Sequence, residues 1–173
     1  MFSHRPDASD PLSQIVRLLR PRAAIANVVS GKGSWAVRYS AFGKPSFCIV
    51  LEGSSLLAVD GHAPITIQAG DFILLPTTPA FTLSSFTPAP PVFMDPAEVE
   101  RRRGEVRYGE HRGAPDMRSL GGSFSFDPAD SNPLVALLPG LVHVQGSKRL
   151  AQLVHMVSEE SSEQRPEIGR AHV

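Results

Sequence analysis

The chain has 173 residues, enough for one domain around one ordinary core, and 42% of it is hydrophobic. Seventeen Lys and Arg balance seventeen Asp and Glu. A free-standing nucleic-acid binder would carry a basic excess or stripe, so this balance argues against that role. The single cysteine, Cys48, excludes an internal disulfide and suits a reducing, cytoplasmic setting. No apolar run reaches the ~18 residues needed to span a bilayer, and the N-terminus lacks the apolar stretch of a secretory signal.

Residues 1–9 read as a disordered arm. Asp10 suits an N-cap and Pro11 the first helical position. Leu12, Ile15, Val16 and Leu19 then recur at helical spacing, and Pro21 ends the predicted helix. Seven short strands are expected next: Ile25–Ser30, Trp35–Ser40, Phe47–Glu52, Leu56–Asp60, Ile65–Gln68, Phe72–Pro76 and Phe81–Ser84. The breaks between them are short and rich in Gly, Pro, Asp and Ser, the pattern of a sandwich or closed barrel. From Thr87 the chain turns Pro-rich and irregular, and Glu98 to Arg103 reads as a solvated charge run. Val106–Gly109 and Met117–Asp127 supply further strands. Asn132 to Leu138 reads as a short helix stopped by Pro139-Gly140. Ser147 caps a final helix with Leu150, Leu153, Val154 and Val157 on one face.

The organisation predicted is therefore a mainly β barrel over 10–146 with an N-terminal helix, then a C-terminal helix and the start of a linker over 147–166. Residues 167–173 match one reading frame of a widely used sequencing-library adapter. They are read as non-native, with the gene expected to continue past Pro166.

Two segments carry a family likeness. Val50-Leu51-Glu52-Gly53 and Gly70-Asp71-Phe72-Ile73-Leu74-Leu75-Pro76 resemble the skeleton of cupin barrels. Together with the helix over 10–20, the strand Leu120 to Asp127, the Leu138-Pro139-Gly140 corner and the helix over 150–160, they resemble the N-terminal sensing domain of AraC-type transcription regulators. The resemblance implies a cupin-like jelly roll that binds a small-molecule effector. It implies further that DNA is contacted only through a C-terminal helix-turn-helix domain absent from this chain. It also implies that the last helix can mediate a homodimer; packing of Leu150, Leu153, Val154 and Val157 on the barrel is the other use open to it.

Cupin enzymes hold a metal with three histidines and a glutamate. Carried onto this sequence, those positions are Ser40, Phe42, Ser46 and Phe81, none of them an imidazole, carboxylate or thiolate donor. No metal or other cofactor and no catalysis is therefore expected. His62, His111, His143 and His155 lie apart, and their expected roles are loop, packing or boundary positions. The rival reading is a small metal-independent cupin enzyme using groups such as His62, His111 or Glu52.

Period-two alternation locates the expected ligand pocket. Counting from Ser46, an inward face is expected to hold Cys48 and Val50, then Arg38 and Ser40 on the preceding strand and Phe81 and Leu83 on a later one. Arg38 is the expected anchor for a carboxylate or hydroxyl group. Trp35 and Tyr39 fall on the opposite parity and are expected to pack outside.

Overall fold

The structure, a computed structural model, describes residues 23–102, 104–125 and 137–146. The helices expected over 10–20 and 147–160, and most of that over 132–138, lie outside the described residues, as do Leu150, Leu153, Val154, Val157 and His155.

Among the described residues, ten strands and one short helix follow in order: β1 (Ala23–Lys32), β2 (Ala36–Tyr39), β3 (Ser46–Val59), β4 (Ile65–Gln68), β5 (Phe72–Leu75), β6 (Phe81–Ser84), β7 (Val92–Met94), α1 (Pro96–Arg101), β8 (Val106–Gly109), β9 (Met117–Ser125) and β10 (Val142–Val144). They form two layers that share β3. In one layer the order is β8-β1-β9-β3-β5-β10, and in the other β7-β2-β6-β3-β4. Antiparallel neighbours dominate; β1 with β8 and β2 with β7 are parallel. The mainly β, cupin-like class expected from the sequence is the class observed.

The sharing of β3 follows from its sequence. Ser46–Ile49 pairs with β5 and β9, whereas Leu56 and Leu57 pair with β4 and β6. Between these stretches the register with β9 slips at Val50/Glu52 and Gly53 adopts φ +70°. A bulge followed by a left-handed glycine bends a strand without ending it. The two strands expected on either side of Gly53 are therefore one bent strand.

The β4–β5 turn grips that bend. Val50 N–H donates to the Asp71 carbonyl (3.0 Å), Gly70 N–H to the Val50 carbonyl (3.0 Å) and Ala69 N–H to the Gly53 carbonyl (2.9 Å). The two segments singled out in the sequence are thus hydrogen-bonded to each other.

One core lies between the layers and includes Val29, Trp35, Val37, Tyr39, Val50, Leu57, Ile67, Ile73, Leu83 and Met117. A second gathers on the outer face of the first layer, around Phe72 and Leu74 with Phe47, Ile49, Phe124 and Val142. Trp35 and Tyr108 stack with ring centroids 6.1 Å apart, drawing the loop before β2 against β8.

Three elements were not expected. β7 and β10 are three residues each, too short for alternation to register. The run from Glu98 conceals α1, capped by Asp95, whose carboxylate accepts from Ala97 N–H, with Pro96 in its first turn.

Substitution at Gly53 tests the bend. A Cβ there would lie 1.8 Å from the Asp116 carbonyl oxygen, whereas at Gly43 (φ +74°) it would meet nothing within 4 Å. Gly43→Ala should show the backbone strain alone, about 1 kcal/mol, and Gly53→Ala at least about 2 kcal/mol more. Urea unfolding of the two variants measures the difference.

Candidate functional site

The inner faces of the layers enclose a cavity of about 120 Å³. Its wall is built in cross-strand rows. Asn27, Gly121, Cys48 and Ile73 lie side by side on β1, β9, β3 and β5, with the row Ser123, Ser46 and Leu75 beside them. The facing layer contributes Tyr39, Phe81, Leu83 and Leu57. Tyr39 and Phe81 are register partners whose rings stack at 4.8 Å.

The space exists because the β9 wall is small. Ser119, Gly121 and Ser123 line it, and a Cβ built on Gly121 meets nothing within 4 Å. Glycine inside a strand weakens the strand and often marks a close approach. Here it leaves volume opposite Cys48. An unfilled apolar cavity costs roughly 24 cal/mol per Å³, up to about 3 kcal/mol for this one. An occupant that restores the lost contacts recovers part of that.

Two devices close the rim. Thr78 is fully buried in a left-handed conformation (φ 32°), rare for a β-branched residue. Its hydroxyl meets Ser46 Oγ (2.6 Å), the Lys44 carbonyl and the Leu75 carbonyl (3.2 Å), while its own carbonyl accepts from Phe42 N–H (2.9 Å). These hydrogen bonds hold Thr78 in its strained conformation and tie down the 40–45 loop, with Phe42 facing the cavity. On the other side α1 contributes Pro96 and Val99. Asn27 Nδ2 holds α1 by donating to the Val99 carbonyl at 2.9 Å.

Of the residues expected in the pocket, Ser46, Cys48 and Phe81 line it, and Val50 is wholly buried in the adjoining core without lining it. Arg38 and Ser40 point the other way, a correction to the expected inward face. Arg38 Nη2 lies 2.8 Å from Asp60 Oδ2, and Nη1 donates to Thr82 Oγ1 at 3.3 Å. Ser40 is exposed, and both flank a shallow outer groove beside Phe93. Tyr39 and Trp35, expected outside, are buried in the core. The error is physical: alternation holds only along unbroken strand, and residues 40–45 are a loop across which parity is lost. Pairing of Tyr39 with Phe81 and of Arg38 with Thr82 sets the true faces.

The remaining candidates are dispersed. His62 and His111 are exposed. Glu52 pairs with Arg118 at 3.3 Å on the outside. His143 Nε2 lies 2.9 Å from Asp71 Oδ2, which also accepts from Gln68 N–H at 3.1 Å, so this contact ties β10 to the β4–β5 turn. Burial pushes the Cys48 thiol up to about 11, assisted by the nearby Asp71 carboxylate and opposed by a hydrogen bond with Ser119. Burial also raises the Tyr39 and Tyr108 phenols, whose oxygens lie 3.5 Å apart. At neutral pH the thiol and both phenols are uncharged.

A protein-family model for cupins matches residues 10–170. The chain belongs to the cupin family. This cupin is 33% identical over 146 residues to a protein named an AraC-like transcription regulator in Streptomyces lividans, and equally to one so named in Streptomyces antibioticus. Each match covers 84% of this chain and 47% of the relative, so the cupin spans about half the length of these relatives. Among solved structures it is similar to an apo ToxT variant from Vibrio cholerae, at 13% identity and a TM-score of 0.48. That match covers 81% of this chain and 47% of the other.

The positions a cupin metal site would occupy do not fit a transition metal. Phe42, Ser46 and Phe81 face the cavity and Ser40 lies outside it. Among the described residues no three His, Cys, Asp or Glu side chains converge. The cavity offers hydroxyls, one amide, one neutral thiol and hydrocarbon, a donor set for holding a molecule rather than a metal ion.

Two expected outcomes follow from this wall. Gly121→Ala places a methyl group in free space and removes strand-glycine entropy, so it should raise stability by about 0.5–1 kcal/mol in urea unfolding. At neutral pH, Cys48 should react with iodoacetamide about 100-fold more slowly than an ordinary cysteine, because its thiolate fraction is that much smaller. The sign for stability is also set: the folded pKa is raised, so the unfolded chain loses this proton first. The Cys48 contribution is complete below about pH 9, where an ordinary thiol begins to ionise, and is lost as pH rises toward about 11.

Proposed function

We propose that this cupin is the effector-sensing part of an AraC-type transcription regulator, without catalytic activity of its own. The observation that carries the reading is the cavity: an uncharged, mainly apolar wall held open by Gly121 and roofed by α1. Similarity to about half the length of two AraC-like regulators supports it. Ser46, Cys48 and Phe81 contact the effector, and Arg38, Ser40 and Val50 do not. Occupancy favours one arrangement of the roof and rim, and the coupling to a DNA-binding portion is the difference in effector affinity between arrangements. DNA would be contacted through a separate domain. A homodimer through the helix bearing Leu150, Leu153, Val154 and Val157, and a cytoplasmic location, belong to the same reading. Among the described residues no helix is long and apolar enough to cross a membrane.

Two measurements test this. Thermal-shift screening of the chain against small ring alcohols, ketones, sugars, aromatic acids and amines should yield at least one saturable stabiliser whose effect is lost in Gly121→Val, a variant that should remain folded. The chain alone should not retard promoter DNA from its own locus at physiological salt. No stabiliser in the screen, or retardation by the chain alone, contradicts the proposal.

A further inference from the structure

The chemical class of the effector is written in the charge of the wall. Among the described residues, none that lines the cavity is Lys, Arg, His, Asp or Glu. Among the described cations nearby, Arg102 at the end of α1 is exposed and acts on Tyr108 without lining the cavity, and three others are engaged elsewhere. Arg38 is paired with Asp60 on the outer face, Arg118 lies between Glu52 and Glu105, and Arg107 donates to the carbonyls of Glu110 and Gly113. Lys44 comes nearest the rim; it is exposed and its ammonium rests 5.4 Å from the centre of the Phe42 ring.

The polar groups that do face the cavity are neutral. Asn27 spends its amide N–H on the Val99 carbonyl. Ser46 and Thr78 are bonded to each other. Ser119 meets the Cys48 thiol, and Tyr39 meets Tyr108. What remains is carbonyl, amide-oxygen and hydroxyl capacity around rings and aliphatic side chains. A carboxylate placed here would lose its water and find no cation. An ammonium would find no carboxylate among the lining residues. In size, about 120 Å³ suits roughly a substituted benzene ring or its saturated counterpart.

Resting on the effector-sensing reading above, we propose that the cavity selects uncharged, ring-sized, mainly apolar compounds bearing one or two neutral hydrogen-bonding groups, and rejects carboxylates and amines of the same shape. An effector anchored by ion pairing is thereby excluded, including the carboxylate that an inward Arg38 would have held.

The test uses matched probes with the intact chain at neutral pH. Phenethyl alcohol, phenylacetate and phenethylamine form one set; cyclohexanol, cyclohexanecarboxylate and cyclohexylamine form another. Affinities come from titration calorimetry or from chemical shifts of cavity methyl groups. In each set the alcohol should bind at least about 100-fold more tightly than the acid or the amine. Binding should be abolished in Gly121→Val and unchanged in Arg38→Gln and Lys44→Gln. An acid or amine binding as well as its alcohol overturns the proposal and leaves the effector-sensing reading standing. An acid whose binding depends on Lys44 also overturns it, because the anchor is then at the rim. If no member of either set binds and the wider screen also yields nothing, the effector-sensing reading falls with it.

Discussion

The structure depends on the interlock between the bend in β3 and the β4–β5 turn. Three backbone hydrogen bonds join Val50 and Gly53 to Ala69, Gly70 and Asp71. They form only because Gly53 and Gly70 both adopt positive φ, open to glycine at little cost. From that point β3 enters both layers, so the registers of β5 and β9 on one side and β4 and β6 on the other are set by a single strand. Asp71 extends the interlock outward: its carbonyl accepts from β3 and its carboxylate meets His143 of β10. Removing His143 would take a hydrogen-bond partner from a buried carboxyl group, a loss that typically costs about 1–3 kcal/mol.

The cavity is the other side of the same arrangement. With β3 fixed, Cys48 faces Gly121 across the β3–β9 pair, and the missing side chain becomes volume. The wall on β9 is small residues, whereas the facing layer presents the aromatic and branched side chains of Tyr39, Phe81, Leu57 and Leu83. Packing at native density would have filled it. Its persistence is a stability cost placed where a binding site gains from it.

Much of this was legible in the sequence. Glycine and proline punctuation located most strands to within a residue or two, and the Gly53 and Gly70-Asp71 segments named the family. The facing of β2 was not legible. Residues 40–45 interrupt the alternation, and only the pairing of Tyr39 with Phe81 shows which side is in. Trp35 and Tyr39 nevertheless carry a signal of their own: large aromatic side chains on a strand favour the buried face over an arginine. Asp95-Pro96 followed by Glu98 was likewise a helix start hidden in a charge run. The role of Gly121 is not legible in the sequence, because a glycine in a strand announces absence of packing and what that absence opens onto depends on other strands.

One consequence concerns α1. A six-residue helix is far shorter than an isolated helix needs to hold itself in water. Its order derives from the Asp95 cap and from its seat on β1, where Asn27 grips the Val99 carbonyl. The same asparagine lines the chamber beneath. One side chain therefore belongs both to the seat of the helix and to the wall of the chamber, so the two are joined through a single residue rather than through the sheet.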